Sequence, residues 1–72
     1  MIDIYKIKVG DRVHYQPNHF EQYEWENGIV KELPGHIKES IRVVYNCNDE
    51  WHRYMDFTSA LTSTSDLYEG WK

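Results

Sequence analysis

DRVHYQ, residues 11–16, alternates apolar and polar side chains: Val13 and Tyr15 fall on one face, and Arg12, His14 and Gln16 on the other. That alternation is the signature of a strand with one buried face. Pro17 and Asn18 follow at once and stop it, because proline has no N–H to give to a ladder and both residues favour turns. If this short run is a strand, the question is what pairs with it.

Moving outward, Asn27 and Gly28 open a β-rich stretch, IVKEL at 29–33, which Pro34 and Gly35 close. Ile41, Val43 and Tyr45 alternate with Ser40, Arg42, Val44 and Asn46, Val44 being the apolar exception, and NCND at 46–49 ends that run. FTSALT at 57–62 is a weaker fourth strand. TSTS at 62–65 suits a turn before Asp66. In SDLYEGW at 65–71, Asp66 and Gly70 stand at turn-like spacing around Leu67, and Trp71 opens a short last strand. Between the third and fourth strands the β pattern breaks. Trp51, Tyr54 and Met55 lie at helical spacing behind Asn48 or Asp49 as N-cap, which predicts either a short helical turn or an irregular loop. Several short strands without a long amphipathic helix predict a small all-β, five-stranded barrel, because closure removes exposed edges. Val13, Tyr15, Val30, Val43 and Tyr45 are its candidate core.

Seventy-two residues make one domain, 1–72, near the lower size limit for a single hydrophobic core. One cysteine excludes an intramolecular disulfide framework and suits a reducing compartment, so a cytoplasmic location is expected. Asp3, Lys6, Lys8 and Asp11 interrupt the N-terminal apolar residues, and nothing approaches a membrane span, so neither export nor anchoring is expected. Eight Lys and Arg against twelve Asp and Glu give a net charge of −4, the wrong sign for general affinity to a phosphate backbone. Residues 21–32 carry Glu21, Glu24, Glu26 and Glu32 against Lys31 alone, which favours a basic partner. Lys6, Lys8 and Arg12 gather near one end and read as solvated surface.

KVGDRVHY, ENGIVKEL, IRVVYN and SDLYEGW together resemble the SH3-like, Tudor-like and KOW-like barrels. In that pattern a Gly-Asp turn leads the first strand, a Gly-x-Val step starts the second and a Val-x-Tyr strand follows. The likeness is closest to small stand-alone members encoded by bacteria and their phages, in which ENGIVK, VVYNC and a closing DL-x-x-GW recur. It implies an SH3-like barrel over residues 7–71. In Tudor domains aromatic rings at the barrel-end loops cage methylated Lys or Arg, and the matching positions are Tyr23, Trp25, Trp51 and Tyr54. CNDEWHRYMD at 47–56 departs from that pattern, standing where a Tudor domain has a tight turn.

Cys47 and His52 do not by their spacing supply the base, orienting group and oxyanion donor that a nucleophile needs. They read as a small apolar filler and a solvated loop residue, and no catalytic residue is expected. His14, His19, His36, His52 and Cys47 lack the paired spacing of a structural zinc site, so neither metal nor cofactor is expected. Gly10, Gly28, Gly35 and Gly70 read as turn glycines. Three Trp, six Tyr and two Phe make 15% of the chain, and most of these rings must serve the core. Tyr23, Trp25, Trp51 and Tyr54 fall outside strand alternation, with Glu24, Glu26 and Asp49 beside them. Such a set holds a cationic group through ring faces and charge, or else its rings cap the barrel ends.

The expected function is a non-enzymatic module binding a protein or peptide, basic in character, with no membrane partner. Two alternatives stand beside it: a phage-type inhibitor of a host factor whose acidic loops imitate a nucleic-acid backbone, and a KOW-like nucleic-acid-associated module. Self-association at an exposed barrel edge stays open.

Overall fold

The computed structural model describes residues 1–33 and 39–72. Five antiparallel strands form one sheet in the order β4-β3-β2-β1-β5. They are β1 (Arg12–Tyr15), β2 (Glu26–Glu32), β3 (Ser40–Val44), β4 (Ala60–Ser63) and β5 (Leu67–Glu69). The expected stop at Pro34-Gly35, and His36, lie outside the described residues.

Cross-strand partners fix which side chains share a face. Val13 stands opposite Gly28, Val30 opposite Val43, and Tyr15 opposite Leu67. Val13, Val30, Val43 and Leu67 are fully enclosed, and Ile2, Ile7 and Ile41 join them in one cluster. Each such side chain stabilises the fold by about 1.5–3 kcal/mol relative to exposure. Tyr15 and Tyr45 pack at the rim of this core with rings edge to face, their centroids 6.0 Å apart. The Tyr45 hydroxyl meets Thr62 Oγ1 at 2.8 Å, and burial pushes its phenol up to about 12. Ile2 and Ile7 come from a segment with no strand alternation. It is tied down by Ile2 N–H donating to the Thr64 carbonyl at 3.1 Å, and by Gly10 N–H donating to Val30 at 2.8 Å.

The structure differs from the sequence reading at several points. Gly28 is a strand residue inside β2, not a turn glycine. A Cβ there would stand 2.5 Å from Val43 Cγ1 and 2.9 Å from both Tyr45 Cδ1 and the Val44 carbonyl, so only glycine lets β3 approach this closely. β4 begins at Ala60 rather than Phe57, because Phe57 N–H still closes the preceding turn on the Tyr54 carbonyl at 3.2 Å. The last strand is Leu67–Glu69 and ends before Trp71. A short 3-10 turn, Thr64–Asp66, takes up part of the TSTS stretch, with Ser63 Oγ accepting from Ser65 N–H at 3.4 Å.

Residues 51–56 do form a helical turn, of the 3-10 type. Neither Asn48 nor Asp49 is its N-cap. Glu50 holds that position without a side-chain bond, while Asn48 and Asp49 sit at φ 53° and 64° in the left-handed region that Asn and Asp tolerate best. Asn46 Oδ1 accepts from Asn48 N–H at 3.2 Å and shapes that reversal.

The opposite face of the sheet is covered too. Arg12, Ile29 and Val44 form a row across β1, β2 and β3, and Ile29, Val44 and Cys47 are all buried. The Trp51–Asp56 turn lies against β2. Val44 is therefore no lapse in the alternation, since both faces of β3 bury apolar surface.

Candidate functional site

The loop from Pro17 to Trp25 owes its shape to Gln16. Its Nε2 donates toward the carbonyls of Glu21, Gln22 and Glu24 at 3.4, 3.2 and 3.0 Å. Within the loop, Glu24 Oε1 accepts from Glu21 N–H at 3.1 Å, and Phe20 sets its ring edge to face on Tyr15. So fixed, the loop presents Tyr23, 78% exposed, and Trp25, 38% exposed. The ammonium of Lys72 stands 5.0 Å from the centre of the Trp25 ring.

Trp51 and Tyr54 are placed differently. Both are half-buried. Trp51 packs edge to face on Trp71 at 4.8 Å, and the Arg12 guanidinium lies 4.6 Å from the centre of the Trp71 ring. Trp71 Nε1–H donates to the Gly28 carbonyl at 2.8 Å, which fastens the stack to β2. The Tyr54 hydroxyl lies against the turn at Gly10, where a Cβ would come within 3.1 Å of it. Gly10 has φ 95°, a conformation that glycine adopts without strain.

The expected carboxylates divide as well. Glu24 is engaged inside its own loop. Glu26 stands opposite Tyr15 and shares its face of the sheet, while Asn27 stands opposite His14 on the other. Asp49 is exposed in the left-handed turn before Trp51. On the 3-10 turn, Arg53 bridges Glu50 at 3.5 Å and Asp56 at 3.3 Å, so its one positive charge is shared between two carboxylates.

The sequence reading assigned Gln16, Asn27 and Lys72 no part in the candidate site. Their contacts span 45 and 56 residues of chain, a separation that no local pattern reveals. The tail reaches them by turning at Gly70, where φ is 81° and the carbonyl meets His14 Nδ1 at 2.8 Å. His14 also stacks on Tyr68, with centroids 5.5 Å apart.

Cys47 is buried and His52 exposed. Among the described residues no three of His, Cys, Asp and Glu are gathered to hold a metal ion, and no helix is long and apolar enough to cross a membrane. Set against family models, curated proteins and solved structures, the chain matches none.

Proposed function

We propose that the chain is a small SH3-like barrel acting as a non-enzymatic module that captures a basic peptide segment of a protein partner on the Tyr23–Trp25 loop. Support for the barrel comes from the strand order, with β1 between β2 and β5, and from the 3-10 turn that joins β4 to β5. The observation that carries the function is the presentation of Tyr23 and Trp25 on a loop pinned by Gln16. Two exposed rings held in place lose little freedom on binding, which favours recognition over mere coverage of the core. A net charge of −4, with Glu21, Glu24 and Glu26 around those rings, sets the preference for a cationic ligand.

A lysine-rich peptide and a glutamate-rich peptide of equal length test this. The chain binds the first and not the second, and the double substitution Tyr23→Ala, Trp25→Ala removes binding while the folded spectrum persists. Equal binding of both peptides, or binding that survives the substitution, refutes the reading.

A further inference from the structure

Lys72 is held by more than a ring face. Its Nζ donates to Gln16 Oε1 at 3.1 Å while standing 5.0 Å from the centre of the Trp25 ring. Its main chain is bound as well: Asn27 Oδ1 accepts the Lys72 N–H at 3.1 Å, and Asn27 Nδ2 donates to the Lys72 main-chain oxygen at 3.3 Å. One residue is thus read twice, by its ammonium and by its backbone.

Both amides are oriented by their surroundings. Gln16 Nε2 faces three carbonyls, and only the NH2 end of an amide can donate to them, so Oε1 is left as the acceptor turned toward Lys72. Asn27 meets a donor with one atom and an acceptor with the other, which likewise permits one orientation. A side chain that matches both main-chain groups of a single residue is a means of holding extended peptide.

We propose that Gln16, Trp25 and Asn27 form a subsite for a lysine residue in an extended chain, and that Lys72 fills it as a resident ligand that an incoming lysine-bearing peptide displaces. This rests on the basic-peptide reading above and adds to it the residue type and its regulation. One neutral oxygen and one ring face suit a compact ammonium, whereas a guanidinium spreads its donors over a planar fork for which Gln16 offers a single acceptor. No ion pair holds Lys72 among the described residues, so the contact is of the exposed, weak kind that a competitor replaces. A tethered ligand nevertheless acts at high effective concentration and lowers the apparent affinity for any competitor.

The test uses the full chain with Lys72 intact, with Lys72→Ala, and with Lys72→Met, which keeps an apolar stem and removes only the charge. The probe is a lysine capped as an acetyl amide at its amino end and a methylamide at its carboxyl end, beside norleucine and arginine analogues capped alike. Binding is read from the indole N–H resonance of Trp25. Both substitutions empty the ammonium position at Gln16 and Trp25 while leaving the main chain on Asn27, and both variants bind the lysine probe about five-fold more tightly than the intact chain. The norleucine analogue leaves the resonance unmoved, and arginine binds more weakly than lysine. Equal affinity of the intact and substituted chains, or norleucine binding as well as lysine, overturns the proposal. If a longer lysine-rich peptide then still binds all three chains alike at Tyr23 and Trp25, the module reading stands without the resident ligand. If that peptide binds none of them, both readings fall.

Discussion

Two tryptophan-bearing regions of this small chain are anchored in different ways. Trp51 packs on Trp71, and Trp71 is fastened by its indole N–H to a β2 carbonyl on the face that also carries Arg12, Ile29 and Val44. Trp25 sits at the end of a loop, touched by a lysine, with Glu24 bonded to Gln16 on one side and Glu26 paired with Tyr15 on the other. The difference lies in what anchors the backbone and the indole N–H, since the ring type is the same. An aromatic residue tied to the sheet packs into the fold, and under the proposed function the one on the loop meets the ligand.

The most severe way to break the anchored region is at Gly28, whose carbonyl receives Trp71 and whose missing Cβ lets β3 approach. Gly28→Ala forces backbone or core displacement and costs about 2–3 kcal/mol, seen as a lower urea midpoint. Trp71→Ala removes the ring that joins Trp51 to Arg12 and costs about 2 kcal/mol in the same measurement, less than a fully buried tryptophan because the ring is half-buried. Trp25→Ala costs about 1 kcal/mol, less than Trp71→Ala, because the ring is 38% exposed and makes no hydrogen bond to the sheet among the described residues. A midpoint that falls as far for Trp25→Ala as for Trp71→Ala would erase the distinction between the two regions.

The rim of the core offers a pH test. Tyr45 has its phenol pushed up to about 12, above the ordinary 10.0, because burial disfavours the phenolate. A phenol held protonated by the fold contributes its full stability below pH 10 and loses it as the pH climbs through about 12. Phenolate absorbance should show Tyr45 still protonated at about pH 11. Tyr45→Phe removes that late step.

Much of the sheet was legible because the strands carry their own period. Val13, Val30 and Val43 could be assigned to the core from alternation and turn residues alone. Gly28 could not, since Asn-Gly is a common turn pair and only the approach of Val43 and Tyr45 explains a glycine within a strand. Ile2 and Ile7 were hidden because their segment joins the core without strand pairing of its own. In the candidate site, the aromatic positions were legible as rings outside the alternation, but their division was not. It depends on Trp71 and Lys72, whose partners Gly28 and Gln16 lie 43 and 56 residues away.

The most direct test of that division is a titration of a lysine-rich peptide into Trp25→Ala and Trp51→Ala, both in the full chain and below their unfolding midpoints. The account predicts that Trp25→Ala loses binding and that Trp51→Ala, though less stable, keeps it. Binding by Trp25→Ala at the strength of the unchanged chain would contradict it.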